Sequence, residues 1–305
     1  MSTPAVVRAG TAALVLVVVA LWPCDMSAQT TSAPVFKTGV DLVTLFATVR
    51  DSRGRIVTDL TRVDFELLDG GERRPIIDFR AGQSAVSLAL VMDVSGSMAI
   101  GSKLARARLV VQDVLASLEP GKDEVAMYAF DTELHELQPF STATDQLRET
   151  FEGTEAFGAT SLWDAAATVA RQVAERGGRR RALVVLTDGV DTSSQWTARD
   201  VSGLASSFDV PVYIVAVEPP QNDAVLQNLS DLARWTGGTM HVVIGPTDAS
   251  AQALEVVNEL RHQYFMAFET GVTPGWHPLV VKTRNRSLDI RVRSGYFVAP
   301  RALNN

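Results

Sequence analysis

The segment VMDVSGSM, residues 91–98, runs apolar residues into Asp93 and then sets two hydroxyls, Ser95 and Ser97, on either side of Gly96. An acid and two hydroxyls make a tight loop lined with oxygen atoms. Such a loop suits a metal site, a phosphate cradle, a nucleophile or an ordinary polar turn after a strand. Two further polar points occupy comparable places: Thr160 in FGATSLWDA, ahead of a helical pattern, and Asp188-Gly189 directly after the apolar run ALVVLT. In an open α/β sheet, ligands sit beyond the carboxyl ends of the strands, near the point where strand order reverses. Loops from one such edge can converge. Two aspartates with three hydroxyls then form an all-oxygen donor set, the chemistry of a hard octahedral cation, Mg²⁺ first and Mn²⁺ second. If the hydroxyls bind directly and the carboxylates act through water, the ion keeps much of its charge and favours an incoming carboxylate.

Structural readings of the same residues compete. Ser95 and Ser97 can cap the following helix, Ser161-x-x-Asp164 has the form of a capping box, and Asp188-Gly189 is a common turn. Other chemistries fare worse. His135, His241, His262 and His277 are scattered without zinc spacing. No GxGxxG, Walker loop or G-x-S-x-G elbow occurs, and Ser95 stands where phosphotransfer through Asp93 would want a second carboxylate. No general acid/base pair stands out.

The elements that must hold these residues follow from periodicity. AVSLALVMD, DEVAMYAF, RALVVLT and VPVYIVAV are near-continuous apolar runs of strand length, as in parallel strands covered on both faces. Between them, residues 103–118, 161–176, a segment opened by the capping box Thr197–Asp200, 223–235 and 248–263 carry helical patterns. The fold class expected is α/β, a doubly wound, mostly parallel sheet. The flanks differ. VDLVTLFATVR and RVDFELLD on one side, and YFMAFET, HPLVVKT and LDIRVRSGYFV on the other, read as strands broken by turn residues. The economical arrangement is one small β-sandwich made by both flanks, with the α/β domain inserted between them. The expected organisation is a signal segment 1–28, a linker 29–38, a β segment 39–82, the α/β domain 83–263, a β segment 264–300 and a tail 301–305.

A formal net charge of −7 over 305 residues gives no electrostatic case for nucleic acid. Arg176, Arg179, Arg180 and Arg181 read as a solvated helix-to-strand turn. Arg8 followed by the apolar stretch Ala12–Trp22, shorter than the ~20 residues of a membrane span, reads as an export signal with cleavage near Ala28. Leu21-Trp22-Pro23-Cys24 loosely resembles a lipoprotein box, so contact with a membrane would come only through an N-terminal lipid or an uncleaved signal. Cys24 is the only cysteine, so the mature chain has no disulfide. A periplasmic, envelope or secreted location is expected.

Taken together, Asp93-x-Ser95-x-Ser97, Thr160 and Asp188-Gly189 resemble the metal-ion-dependent adhesion site of von Willebrand factor A domains, over residues 85–263. The flanks TVRDSRGRIVTDLTRVDFELLDGG and RSGYFVAP resemble those of exported bacterial proteins of this kind, frequent in acidobacteria. The resemblance implies that Ser95, Ser97 and Thr160 are direct or near ligands of Mg²⁺, that Asp93 and Asp188 anchor waters, and that a partner's Glu or Asp completes the shell. The function implied is a non-catalytic module binding a protein or peptide. Gly158, Ala159, Asp191 and Trp196, in the adjoining loops, are candidates for partner contact, with ordinary structural roles as the alternative for Asp191 and Trp196. A metal-dependent hydrolase using the same cluster and a purely structural metal are the rival expectations.

Overall fold

The computed structural model describes residues 42–298, except 148, 178, 271 and 272. The export segment with Cys24, the linker and the tail lie outside the described residues. The N-terminal flank forms β1 (Leu42–Arg50), β2 (Phe65–Asp69), β3 (Glu72–Arg74) and β4 (Asp78–Arg80). The middle of the chain alternates: β5 (Val86–Asp93), α1 (Lys103–Ser117), β6 (Glu124–Phe130), β7 (Leu134–Ser141), α2 (Leu162–Ala174), β8 (Arg180–Thr187), α3 (Ala198–Ser207), β9 (Val212–Val217), α4 (Asp223–Thr236), β10 (Met240–Val243) and α5 (Pro246–Arg261). The C-terminal flank supplies β11 (Tyr264–Glu269), β12 (Gly275–Thr283), β13 (Asp289–Arg291) and β14 (Gly295–Val298).

The central sheet has the order β10-β9-β8-β5-β6-β7, parallel except for β7. The chain leaves β5 toward β6 on one side and returns to β8 on the other, so strand order reverses beside β5. All eight residues of β5 are buried because both faces of the sheet are covered. Leu88, Leu90 and Met92 meet α1 and α5, through Val111, Leu115, Val256 and Leu260. Ala89 and Val91, alternating with them, meet α2, α3 and α4, through Val169, Val201 and Leu232. In α1, Ala107, Val110, Val111, Val114 and Leu115 form one buried stripe at helical spacing. The expected capping box of α3 is present: Asp200 Oδ2 accepts from the Thr197 amide at 2.9 Å and from the Thr197 hydroxyl at 2.7 Å. Two strands of the central sheet escaped the sequence reading, as did the three-residue β3 and β4 of the flank. β7, LHELQPFS, is a half-exposed charged edge containing a proline, and β10 is only four residues long.

The flanks interleave. One sheet has the order β13-β1-β11-β4 and the other β14-β12-β2-β3, and each mixes N- and C-terminal strands. Leu45, Val49 and Met266 from the first share a core with Leu67, Leu279 and Tyr296 from the second. The run LDIRVRSGYFV, expected as one strand, divides: Asp289–Arg291 pairs with β1, whereas Gly295–Val298 pairs with β12 in the opposite sheet. Arg293, in the crossing, is only 4% exposed. The sandwich is tied to the central sheet by Glu259 of α5. Its buried carboxylate accepts from Tyr213 of β9 at 2.6 Å and Arg50 of β1 at 2.8 Å, and also pairs with Arg291 of β13.

The solvated turn expected at Arg176–Arg181 needs correction. Arg180 is the first residue of β8 and only 7% exposed, because its guanidinium lies 5.0 Å from the Phe46 ring centroid and donates to the Gln263 carbonyl at 2.9 Å.

Two tests address this architecture. At Gly238 a Cβ would lie 2.0 Å from the Val212 carbonyl oxygen. Gly238→Ala therefore forces the start of β9 aside and should cost about 3 kcal/mol in urea unfolding. His277 of β12 places Nδ1 3.0 Å from Asp69 and Nε2 2.7 Å from the Thr273 carbonyl. The Thr273 carbonyl foremost, and then the Asp69 carboxylate, raise its pKa above 6.5. A folded-state value above the unfolded one adds stability at pH below about 6.5 that is lost as pH rises through the folded value. His277→Gln should thus lower the melting temperature more at pH 6 than at pH 9, by about 2–4 °C. Equal losses at both values would refute the linkage.

Candidate metal centre

Asp93 closes β5 with no solvent exposure. Its Oδ1 accepts from the Ser95 amide at 2.9 Å and its Oδ2 from the Thr187 hydroxyl at 2.6 Å. Burial pushes the Asp93 carboxyl up to about 6, against the pull of those hydrogen bonds, and the nearby Asp188 charge adds to the rise. A cation set beside this pair would relieve both causes.

The turn after Asp93 is held open from several sides. The Val94 amide donates to the Phe130 carbonyl at 2.8 Å, the Phe157 amide to the Val94 carbonyl at 2.7 Å and the Gly96 amide to the Gly158 carbonyl at 3.0 Å. The loop carrying Thr160 is thereby joined to the loop carrying the serines. Neither serine caps α1; the N-cap is Ser102, and the Ser95 and Ser97 hydroxyls lie 3.2 Å from each other. Adjacent oxygens on a Mg²⁺ octahedron stand about 3.0 Å apart at the usual Mg–O distance of about 2.1 Å.

Thr160 is buried, and its backbone is fixed on both sides. Its amide donates to the Thr192 hydroxyl at 2.9 Å, and its carbonyl accepts from the Thr192 and Ser193 amides. The expected capping box Ser161–Asp164 does not form. Asp164 accepts instead from the Gln195 and Trp196 amides, while Asp191 and Ser194 accept from the first amides of α2. Asp191 is therefore spent on the helix start. Trp196 packs on the core with Arg171 over its ring at 5.1 Å. Gly158 and Ala159 are exposed, and beside them stands Phe157, 78% exposed. With Ile100, 66% exposed in the first turn, it adds an apolar border that the sequence reading missed.

Asp188, 1% exposed, follows β8. Gly189 takes φ +90, and a Cβ there would lie 2.6 Å from Leu229 Cδ1, so only glycine lets the chain turn here against α4. The Asp188 Oδ2 accepts from Lys103 Nζ at 2.8 Å. Lys103 was also missed. The signal for it was its position: a lysine in the first turn of α1 opposes the helix dipole and calls for a local carboxylate. Thr187, which bridges Asp93 and the Gly189 amide, lies in the last position of an apolar run.

The structure thus brings Asp93, Ser95 and Ser97 together directly, sets Asp188 beside Asp93 through Thr187, and joins the Thr160 loop to both. Among the described residues, no group of three or more Asp, Glu, His or Cys is placed to hold a metal. The hydroxyls would have to supply the remaining donors. In chemistry and in the Ser95–Ser97 spacing, the donor set fits a hard cation.

An open α/β sheet with a polar rim at its switch point is the form of a ligand-binding α/β domain. Residues 88–190, from β5 to the turn after β8, match the von Willebrand factor type A domain family, and the chain contains such a domain. The von Willebrand factor type A protein from Catenulispora acidiphila is similar in structure at a TM-score of 0.50 and 13% identity, covering 87% of this chain and 75% of that one. Proximal thread matrix protein 1 from the mussel byssus is similar at a TM-score of 0.51 and 14% identity, over 63% of this chain and 51% of that one. BatB from Bacteroides thetaiotaomicron matches at a TM-score of 0.49 and 16% identity, over 58% of this chain and 98% of that one. At such identities the likeness is one of fold. No curated protein matches the chain.

The Lys103–Asp188 pair is open to test. Lys103→Met leaves a buried carboxylate without its cation and should cost about 3 kcal/mol in urea unfolding under chelator. An unchanged midpoint would mean that the pair contributes nothing.

Proposed function

We propose that this chain is an exported, non-catalytic binding module that captures an acidic side chain of a protein or peptide through Mg²⁺ at the rim beyond β5 and β8. Ser95, Ser97 and Thr160 would hold the ion, with Asp93 and Asp188 anchoring waters behind it. Bound there, the ion supplies a Lewis-acidic position for a partner carboxylate. Phe157, Ile100, Gly158 and Ala159 would meet the partner around that point, so an acid flanked by apolar residues fits the rim best.

One observation carries this reading: two serine hydroxyls, free of any helix-capping duty, lie 3.2 Å apart beside a fully buried aspartate. The von Willebrand factor type A domain supports an interaction role, as does the fold shared with a thread matrix protein. The export reading rests on the apolar stretch Ala12–Trp22; among the described residues no helix is long and apolar enough to cross a membrane.

Mg²⁺ at a hundredfold excess over its dissociation constant should stabilise the chain by about 2.7 kcal/mol, and Ser95→Ala/Ser97→Ala should abolish the effect. Capture of proteins from an envelope extract by the immobilised chain should require Mg²⁺ and fail with chelator or the double variant. Identical eluates under all conditions would refute the binding role. Stabilisation by Mg²⁺ without a change in capture would leave a structural metal. Turnover of phosphoesters or peptides that disappears in Asp93→Ala would establish a hydrolase instead.

A further inference from the structure

At the opposite end of β8 lies a cavity of about 390 Å³, within the size range of small-molecule sites. Arg80, Arg176, Arg179, Arg180 and Arg181 line it, with Asp209 as the only acid among its lining residues. It sits where the start of the central sheet meets the sandwich strands β1 and β11. An acidic chain of net charge −7 has gathered five guanidinium groups here.

Their partners do not balance them. Arg176 and Arg179 share one carboxylate, Glu124. Arg80 pairs at the mouth with Asp78, where both side chains are largely exposed. Arg181 spends its donors on the carbonyls of Ala174, Arg176, Phe208 and Asp209. Asp209 is itself engaged, accepting from the Thr44 hydroxyl at 2.9 Å and lying 3.5 Å from Arg293.

Arg180 is the exception that defines the site. It is only 7% exposed, yet no carboxylate stands within ion-pair distance among the described residues. One terminal nitrogen donates to the Gln263 carbonyl, and its Nε has no hydrogen-bond partner. Phe46 and Phe265 hold the guanidinium from their faces, at 5.0 and 5.9 Å. Those faces steady the charge without neutralising it. Burial foremost, and the Arg80 charge beside it, bring its pKa down to about 10, so it stays protonated at neutral pH. A buried guanidinium left without a counter-charge is costly to keep unless an anion comes near it.

We infer that this cavity is a binding site for a small oxyanion-bearing ligand, a carboxylate or phosphate compound, held among the guanidinium groups that line it, with Arg180 supplying the charge no carboxylate balances and Arg80 standing at the mouth. The site is independent of the metal rim, because the eight residues of β8 put about 23 Å between Arg180 and Thr187 at ~3.3 Å per residue.

Isothermal titration calorimetry of the full chain with sodium phosphate, and separately with sodium citrate, tests this against sodium chloride at matched ionic strength. Saturable one-to-one binding of at least one of the two anions is expected. Binding of phosphate alone identifies a phosphoryl ligand, and binding of citrate alone a carboxylate. Arg180→Met should weaken binding about tenfold or more, through loss of the one uncompensated positive charge at the cavity. Arg80→Gln, at an exposed position, should also weaken it and decides the matter if Arg180→Met fails to fold. Ser95→Ala should bind as the wild type does. No saturable heat with either anion, an equal response to chloride, or wild-type affinity in the folded Arg variants would overturn the assignment.

Discussion

Asp93 ends a strand buried along its whole length, and its carboxylate has no access to water. That single desolvated acid organises the rim of the sheet. Its burial raises the energy of its charge, and a second acid, Asp188, lies close enough to raise it further. The surroundings answer with donors: the Ser95 amide, the Thr187 hydroxyl and, on the neighbouring carboxylate, the Lys103 ammonium. Two acids kept this close in a dry place attract positive charge, and the paired hydroxyls beside them determine which kind of cation is suited.

The same strand that ends at the acids begins among arginines. β8 opens with Arg180 and Arg181 and leads into Asp188. Parallel strands place all their starts at one end and all their finishes at the other, so the arginines and the acid of β8 lie at opposite ends of the sheet. The proposed metal rim and the proposed anion cavity thus lie at opposite ends of β8, with buried apolar residues between them.

What sequence alone could reveal divides along physical lines. The buried parallel strands and the amphipathic helices announced themselves because burial on two faces, or on one stripe, leaves a periodic mark. Of the rim residues, Asp93, Ser95, Ser97 and Asp188 stood out through their positions after such strands, and Thr160 through its place ahead of a helical pattern. The edge strand β7 did not, because none of its residues is buried and no apolar alternation is left to read. Lys103 and Thr187 act across the fold, and nothing local to either names its partner. The arginine cluster misled for the same reason. A charged run is normally solvated, but Phe46 and Phe265, far away in sequence, close over Arg180. Asp191 and Trp196 sat in the right loop, yet long-range bonds to α2 and packing on the core claim them.

The interleaving of the flanks bears on how the chain comes into being. β1 lies between β11 and β13, and β2 between β3 and β12, so the first strands to emerge during synthesis pair with some of the last. Until then Leu45, Val49 and Leu67 have no permanent neighbours, while the central sheet is free to assemble. Such late, long-distance closure is slow and leaves adhesive edges uncovered. The sandwich can therefore close only once β11–β14 have left the ribosome.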